Sequence, residues 1–335
     1  MRSEQHPVGQ DVATGLAFPE SPIVQSDGSV LVSEMAASRV TRITEGAAEE
    51  YAATGGGPNG IVAIGDHLIV CQSGGAAWGT GPWPYDYPGA AQIRLPVGPA
   101  PDPVIPQVQR ISRDRTVSTV ATTFLALDGR ERALIRPSDV CSDGAGGFYM
   151  TDGGTINGRT RELTGLLHGT ASGRITEIAY PLEMPNGVVL SPDGTSLYVA
   201  ETRTRRVWRF NVARPGVITG ASGFVTVPSG GPLNIGGADG LCVTSDGCVI
   251  VATLGAGGVT VYDPAGILLL QIGTDDPMAT NAIVDEPRDR LLLTLASSGR
   301  LVAIQDWSRL VSGARERARR SGQPAASAAQ LVTIP

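Results

Sequence analysis

Residues 186–199 read Asn-Gly-Val-Val-Leu-Ser-Pro-Asp-Gly-Thr-Ser-Leu-Tyr-Val, and this stretch is the clearest structural signal in the chain. A polar residue precedes a short apolar run, an Asp-Gly pair and a second apolar run. Asp-Gly supplies the positive backbone angles that a tight hairpin needs. The stretch therefore predicts two antiparallel strands joined by a turn.

The same pattern occurs six times along the chain, and this repeat predicts the architecture. In four copies an aspartate lies seven residues after the leading polar residue, whereas in the last copy it is one residue late, at Asp289. The leading residues are Glu20, Asn59, Ser138, Asn186, Asp239 and Asn281. Their average separation is about 52 residues, which suits a four-stranded propeller blade with ordinary loops.

We therefore predict an all-β fold, a six-bladed β-propeller with four-stranded antiparallel blades around a central channel. The scarcity of helical patterns between the strands excludes a parallel α/β fold. The propeller is expected to span residues 1–335 as a single domain, with blades that begin near residues 16, 57, 136, 184, 237 and 279. A terminal strand, N- or C-terminal, should complete one blade and close the ring.

Three segments do not fit the repeat. Residues 74–106 are rich in Gly and Pro, and their aromatic side chains predict a lid, a subunit contact or simple surface decoration. These side chains are Trp78, Trp83, Tyr85 and Tyr87. Residues 153–173 form a second, polar insertion, in which His168 is expected to lie on a loop. Residues 306–320 predict a C-terminal helix that is rich in arginine.

Composition and charge limit the kinds of partner that the protein can bind. The net charge is −6, so no basic surface indicates nucleic acid or an acidic membrane. No stretch of about 18 apolar residues predicts a membrane span, and the first residues lack a hydrophobic signal segment. The spacing of the cysteines fits no zinc motif and predicts small, buried, reduced residues at Cys71, Cys141, Cys242 and Cys248. We expect a cytoplasmic protein that binds a small molecule, and its oligomeric state stays open.

The six leading polar residues form the candidate site. Each precedes the first strand of its blade, and that strand is innermost in a propeller, so the side chains should converge at one mouth of the channel. The carboxylates of Glu20 and Asp239, together with amides such as Asn59, suit a hard divalent cation such as Ca²⁺, Mg²⁺ or Mn²⁺. Zn²⁺ could also bind through oxygen ligands. We therefore expect one divalent metal ion, with Ca²⁺ as the first choice.

Five segments of the chain resemble a known family. Residues 18–22, 136–140, 184–187, 191–200 and 237–241 are similar to the gluconolactonase, senescence-marker-protein and luciferin-regenerating-enzyme family of six-bladed propellers. The resemblance extends over about residues 15–305. Members of this family hydrolyse sugar lactones or other esters, including organophosphates.

The resemblance implies roles for individual residues. It implies that Glu20, Asn186 and Asp239 hold the metal, and that Arg136 contacts the substrate. Ser138 stands where the family has an asparagine, which leaves a weaker oxygen donor or a water at this position.

We accordingly expect a metal-dependent hydrolase that opens a lactone or a related ester at the channel mouth. A metal with open positions polarises the carbonyl group and lowers the pKa of a bound water, and Asp239 would act as general base or nucleophile. Arg136 would orient a carbonyl or hydroxyl group through its planar donor fork. The residues assigned to substrate binding are Arg136, Ser138, Asp139 and Asn59.

Two other classes of function stay open. The first is a non-hydrolytic propeller enzyme that uses the same metal cavity for cyclisation, isomerisation or condensation in small-molecule biosynthesis. Ser138 and the aromatic insertion would suit such an enzyme if its substrate were bulkier and less polar than a sugar lactone. The second is a binding or scaffold propeller, which has no need of converging carboxylates. The absence of a Gly-x-Ser-x-Gly motif disfavours a serine hydrolase.

Overall fold

Six antiparallel sheets arranged as blades around a centre dominate the structure. This computed structural model describes residues 9–81, 93–157, 159–228, 237–321 and 330–333. Each innermost strand contacts the innermost strands of the two neighbouring blades, and the contact between the last and the first blade closes the ring. The prediction of a six-bladed β-propeller is therefore confirmed.

Each blade has four strands that follow one another from the centre outward. The innermost strands are β2 (Pro19–Val24), β6 (Pro58–Ile64), β14 (Pro137–Ser142), β20 (Pro185–Leu190), β24 (Gly237–Val243) and β28 (Ala279–Asp285). The second strands are β3 (Val30–Glu34), β7 (His67–Gln72), β15 (Phe148–Asp152), β21 (Ser196–Glu201), β25 (Val249–Leu254) and β29 (Arg290–Leu295).

The two outer positions of each blade complete the sheets. The third strands are β4 (Arg39–Thr44), β10 (Gln107–Ile111), β18 (Thr164–Gly169), β22 (Arg206–Arg214), β26 (Gly258–Tyr262) and β30 (Arg300–Gln305). The fourth strands are β5 (Ala47–Ala53), β11 (Val117–Ala121), β19 (Ile175–Leu182), β23 (Val217–Thr226), β27 (Leu268–Gly273) and β1 (Gly9–Ala13). Blades are numbered 1 to 6 by their innermost strands in chain order.

The hydrophobic core lies between the blades. Successive residues of a strand point to opposite faces of the sheet, so each strand supplies side chains to both neighbouring blades. In β3, Val30 and Val32 pack against blade 6, whereas Leu31 packs against blade 2. One buried cluster fills each of the six blade–blade interfaces that the structure describes. This alternation explains why both faces of the central strands are apolar.

In four of the six blades an Asp-Gly hairpin joins the first and second strands, as the repeat predicts. Gly194 and Gly247 adopt φ angles of 71° and 86°, a region that glycine enters without steric penalty. The preceding aspartate is hydrogen-bonded within its own turn: Asp193 Oδ1 accepts from Thr195 N at 3.0 Å. Blade 6 differs, because a short 3₁₀ helix (Glu286–Arg288) lengthens its turn before Asp289.

The strands nearest the two ends of the chain add to different blades. The N-terminal strand β1 pairs with β30 as the fourth strand of blade 6, and this pairing closes the ring. The strand β31 (Gln330–Thr333) instead adds a fifth strand to blade 5, parallel to β27. The N-terminal strand therefore meets the expectation of a terminal strand that completes a blade and closes the ring, whereas β31 extends a blade that is already complete.

The two insertions carry short hairpins. Between β7 and β10, the strand β8 (Ala76–Gly81) pairs with β9 (Ile93–Pro99), whereas Trp83, Tyr85 and Tyr87 lie outside the described residues. The second insertion is shorter than expected, because blade 3 resumes at Thr164; it contains β16 (Ile156–Asn157) and β17 (Thr160–Arg161).

His168 was wrongly expected on a loop, since it lies in the buried strand β18. Its Nε2 atom is 2.9 Å from Asp143 Oδ2, and its ring packs against Tyr149. Blade 3 also gains a hairpin that the repeat did not predict, β12 (Thr123–Leu125) with β13 (Glu131–Ala133).

The helix α1 (Trp307–Ser321) follows blade 6. Trp307, Val311 and Ala314 pack into the cluster between blades 5 and 6, and the Asp289 carboxylate accepts a hydrogen bond from Ser308 N at 2.7 Å. No helix within the described ranges combines the length and the apolar character that crossing a bilayer requires.

Candidate active site

A β-bulge at the start of the innermost strands places the candidate residues. In blade 4, Pro185 pairs with Glu201 and Val188 pairs with Val199, so Asn186 and Gly187 together oppose a single residue. The same register shift occurs in the other five blades. A bulge of this kind re-aims a side chain. The bulge is therefore the local reason why one polar side chain per blade gathers at the centre.

Five of the six predicted ring residues lie at the same position of the β-bulge as Asn186, but the sixth does not. In blade 6, Asn281 pairs with Thr294, and this register puts Thr280, not Asn281, at the position of Asp239 in blade 5. Counting back from the turn failed because of the additional 3₁₀ turn before Asp289. Counting from the second strand would have found Thr280.

Three of the predicted residues form a hydrogen-bonded row. Ser138 Oγ donates to Asn186 Oδ1 at 3.0 Å, and Asn186 Nδ2 donates to Asp239 Oδ1. These residues come from blades 3, 4 and 5, so the row follows the ring. Ser138 and Asp239 are buried. The amide of Asn186 thereby orients the carboxylate of Asp239.

Glu20 lies close to Asp239 across the ring. Burial raises the pKa of Glu20 well above its usual range, and repulsion from the carboxylates of Asp239 and Asp139 raises it further. A hydrogen bond with Thr280 acts in the opposite direction. Burial, followed by the charge of Asp139, also raises the pKa of Asp239 to about 8. Three buried carboxyl groups therefore share a region of strong negative potential.

Arg136 is the cation that faces these carboxylates. Burial lowers the pKa of its guanidinium, and the charges of Asp239, Asp152 and Glu20 act against that shift. Its backbone is held in place, because Arg136 N donates to Asp152 Oδ1 at 2.7 Å. The side chain is only partly buried, so it can meet a ligand at the rim.

A second ring of residues lies one position further along the innermost strands, directly after the ring residues already described. Asp139 belongs to this second ring, and its carboxylate accepts hydrogen bonds from Val140 N at 2.9 Å and Val188 N at 3.2 Å. Burial raises the pKa of Asp139 to about 7, although these two bonds act to lower it. Gly60 makes room for Asp139, because a Cβ atom there would lie 2.6 Å from Asp139 Cα. Asp139 thus links blade 3 to blade 4.

Hydroxyl groups on the second strands anchor the backbone of the next blade. Ser33 Oγ donates to the carbonyl oxygen of Asn59 at 2.5 Å, and Thr151 Oγ1 donates to that of Asn186 at 2.6 Å. Asn59 itself is buried at the start of β6. These bonds cross between blades, so Asn59 and Asn186 are each held by the preceding blade as well as by their own sheet.

The donor chemistry fits a hard divalent cation. Glu20 and Asp239 are buried with like charge, and an oxygen-binding cation would offset both their repulsion and their loss of hydration. The amide oxygen of Asn186 is a third ligand of the same kind. Within the described ranges, no three His, Cys, Asp or Glu side chains group to hold a metal.

Curated relatives carry lactonase names but match only part of their length. Residues of this chain are 33% identical over 145 positions to lactonase drp35 of Staphylococcus epidermidis, an alignment that includes 41% of this chain. The chain spans only 42% of the length of that relative. A second lactonase drp35, from Staphylococcus aureus, is 33% identical over 138 residues, which are 40% of each chain.

Solved structures match over nearly the whole chain. The gluconolactonase XC5397 of Xanthomonas campestris superposes with a TM-score of 0.67 at 20% identity, covering 88% of both chains. Regucalcin of Agrobacterium tumefaciens, described as a calcium-binding protein, gives a TM-score of 0.64 at 18% identity, covering 89% of this chain and 93% of that one. At these identities the likeness shows the fold.

A family model settles the relationship. The SMP-30/gluconolactonase/LRE-like region matches residues 18–297, which include all six innermost strands and every candidate site residue. The resemblance expected from the motifs is thus confirmed over most of the chain: this protein belongs to the SMP-30/gluconolactonase/LRE-like family.

Proposed function

We propose that the protein is a divalent-metal-dependent hydrolase that opens a lactone or a related ester at the centre of the ring. The proposal rests on the hydrogen bond between Asn186 and Asp239, the charge repulsion between Glu20 and Asp239, and the attraction of Arg136 to both carboxylates, in a chain of this family. The partner that we propose is a small-molecule lactone.

The metal would be held by Glu20, Asn186 and Asp239. When bound, a divalent cation supplies positive charge that polarises the lactone carbonyl and makes the attacking water more acidic. Ca²⁺ is our first choice, because the ligands are hard oxygen atoms and include an amide. Zn²⁺, Mn²⁺ and Mg²⁺ are the alternatives.

Asp239 is the residue that we assign to proton transfer. Burial and the neighbouring Asp139 raise the pKa of Asp239 to about 8. Beside a bound divalent cation the carboxylate would be ionised, and it could then take a proton from the attacking water. Asn186 Nδ2 binds the Oδ1 atom of Asp239, and we assign the proton to Oδ2 of the same carboxylate.

Arg136 and the remaining residues would position the substrate. The guanidinium can donate two hydrogen bonds to a carbonyl or hydroxyl oxygen and can stabilise negative charge that develops on the ring-opening oxygen. Ser138 and Asn59 offer short polar groups beside it. Asp139, whose carboxylate oxygens bind backbone N–H groups, would act on the substrate through its charge.

Exchange of Asp239 for asparagine tests the proposal. We expect Asp239→Asn to lower kcat for lactone hydrolysis by about 10²- to 10⁴-fold, because the proton acceptor is lost while the shape is kept. The matched control is Asp193→Asn, the same substitution in an exposed turn at the far end of blade 4. Rates are measured by pH-stat after chelator treatment, with Ca²⁺, Zn²⁺, Mn²⁺ or Mg²⁺ returned separately.

The outcomes separate the hydrolytic function from its alternatives. Hydrolysis requires a product that contains one more water than the substrate, which mass spectrometry detects. Unchanged turnover in Asp239→Asn, or full turnover in chelator, would contradict the assigned roles. An isomeric or condensed product would instead favour the non-hydrolytic enzyme.

A further inference from the structure

The rim above the candidate site has two chemically different halves. In each blade, the residue just before the ring residue pairs with a residue of the second strand, and the next residue of that strand defines one level of the rim. At this level blades 5, 6 and 1 carry Leu254, Ala296 and Met35. The equivalent residues of blades 2, 3 and 4 are Ser73, Gly153 and Thr202. At this level three consecutive blades therefore carry apolar side chains, and the other three carry small or polar residues.

The apolar half forms a packed group that we call the rim cluster. Phe18, Met35, Met278 and Ala296 are buried in it, and Leu254 is among the partly buried residues that pack against it. Trp78 and Leu95 also pack on this cluster, although they belong to the β8–β9 insertion of blade 2. The rings of Phe18 and Trp78 are 4.7 Å apart between centroids. The insertion thus lays an aromatic side chain on the apolar half of the rim.

The rim cluster adjoins the candidate ligands. Phe18 lies two residues before Glu20, and Met278 lies two residues before Thr280. Leu254 pairs with Gly237, two residues before Asp239. At the equivalent position of blade 3, the residue two before Ser138 is Arg136. The polar end of a ligand can therefore meet Arg136 while the rest of the ligand extends toward the rim cluster.

We propose that the rim cluster binds an apolar substituent of the substrate, with Trp78 as the specificity-determining residue. This inference rests on the proposed function and narrows it. The preferred substrate is then a lactone whose ring carries an alkyl or aryl group. The ring hydroxyl groups of a sugar lactone would face Phe18, Met278 and Leu254, which offer no side-chain hydrogen-bond partner, and burying such a hydroxyl is unfavourable.

The test uses lactones of increasing apolar length. Wild-type protein is assayed with γ-valerolactone, γ-octalactone, γ-decalactone and glucono-δ-lactone. We expect kcat/KM to rise with chain length by up to about four-fold per buried methylene. Trp78→Ala should lower kcat/KM for γ-decalactone by about ten-fold and change the value for γ-valerolactone less than two-fold. Trp78→Phe should restore most of the chain-length preference.

A matched control lies in the same insertion. Val97 on β9 is 66% exposed, so Val97→Ser should leave the chain-length preference unchanged. Urea midpoints of all variants report whether the fold persists. An equal loss on every substrate in Trp78→Ala would assign Trp78 a merely structural role and overturn the inference. A wild-type preference for glucono-δ-lactone would overturn it as well.

A binding measurement separates this inference from the proposed function. Alkyl-substituted and unsubstituted δ-lactams have the shape of lactones but resist hydrolysis, and calorimetry gives their affinities. If no lactone is hydrolysed but the alkyl lactam binds wild type more tightly than Trp78→Ala, the proposed function fails and the inference stands. If lactones are hydrolysed but the alkyl group improves neither kcat/KM nor lactam binding, only the inference fails.

Discussion

Acidic residues at the two ends of the inner strands have opposite electrostatic environments. At the turn end, hydrogen bonds from Ser29 and Ser191 lower the pKa of Asp27 and Asp193. At the ring centre, burial raises the pKa of Asp139 to about 7 and that of Asp239 to about 8. An ionised aspartate at the turn end therefore stabilises the folded state. An ionised aspartate at the ring centre destabilises it.

This difference indicates which acidic residues serve the fold and which serve the site. A turn aspartate accepts hydrogen bonds from its own loop, so its charge is satisfied locally. A central carboxylate is held among like charges with Arg136 as the facing cation. Groups kept in such an unfavourable environment are candidates for function, because a ligand can supply the missing compensation.

The largest predicted effect is a pH dependence of stability set by the ring centre. Asp139 has a raised pKa in the folded state, so its protonated form stabilises the fold fully below the unfolded value of about 4. That stabilisation is lost as the pH rises through about 7. In chelator, the free energy of unfolding should therefore fall between pH 4 and pH 8, by about 4 kcal/mol for Asp139. Urea titrations across this range measure it.

Two comparisons sharpen that prediction. Asp139→Asn should reduce the slope without abolishing it, because one titrating group is removed while Asp239 and Glu20, whose pKa values are also raised, remain. Adding Ca²⁺ at pH 8 should raise the urea midpoint of the wild-type protein, because a bound cation offsets the central negative charge. Stability that rises with pH over this window, with or without chelator, would show that the central carboxylates are compensated in another way.

A smaller effect is expected from Asp143, an aspartate at the turn end that is buried. Burial acts to raise its pKa, but hydrogen bonds with His168 and with the N–H groups of Ala145 and Gly147 outweigh it. Asp143→Ala leaves these donors without their acceptor and should lower the free energy of unfolding by about 2 kcal/mol. Urea unfolding at pH 7 checks this, with Asp128→Ala in an exposed turn as the control. Equal losses in the two variants would contradict the contribution of burial.

The smallest effect belongs to the exposed turn of blade 4. The pKa of Asp193 is lowered by the Ser191 hydroxyl and by Thr195, so its stabilisation is present above the unfolded pKa and is lost as the pH falls. Asp193→Asn should be slightly less stable than wild type at pH 7 and indistinguishable from it below about pH 3. A difference that persists in acid would point to a steric effect of the amide.

Much of the architecture could be predicted because each blade repeats a local pattern. Asp-Gly turns and alternating apolar runs act within about 15 residues, so each hairpin is visible in the sequence. The positions of Glu20, Asn186 and Asp239 followed from their common distance to those turns. Thr280 was missed because the last turn is longer, and His168 was missed because one buried strand follows a short hairpin.

Other features depend on contacts between residues far apart in sequence. No local pattern indicates that Asn186 donates to Asp239, 53 residues later, or that Trp78 from blade 2 packs on Phe18. The raised pKa values of Glu20 and Asp139 likewise arise from burial by several blades at once.

The number of blades, the strand order within them and the type of side chain that each blade directs to the centre follow from short-range backbone preferences and apolar spacing, so they are readable in the chain itself. Which of those side chains meet, how strongly their charges repel, and which side of the rim is apolar depend on the folded arrangement of the blades. Ring closure brings six distant segments to one point, and hydrogen bonding and loss of hydration act only over such short distances in space.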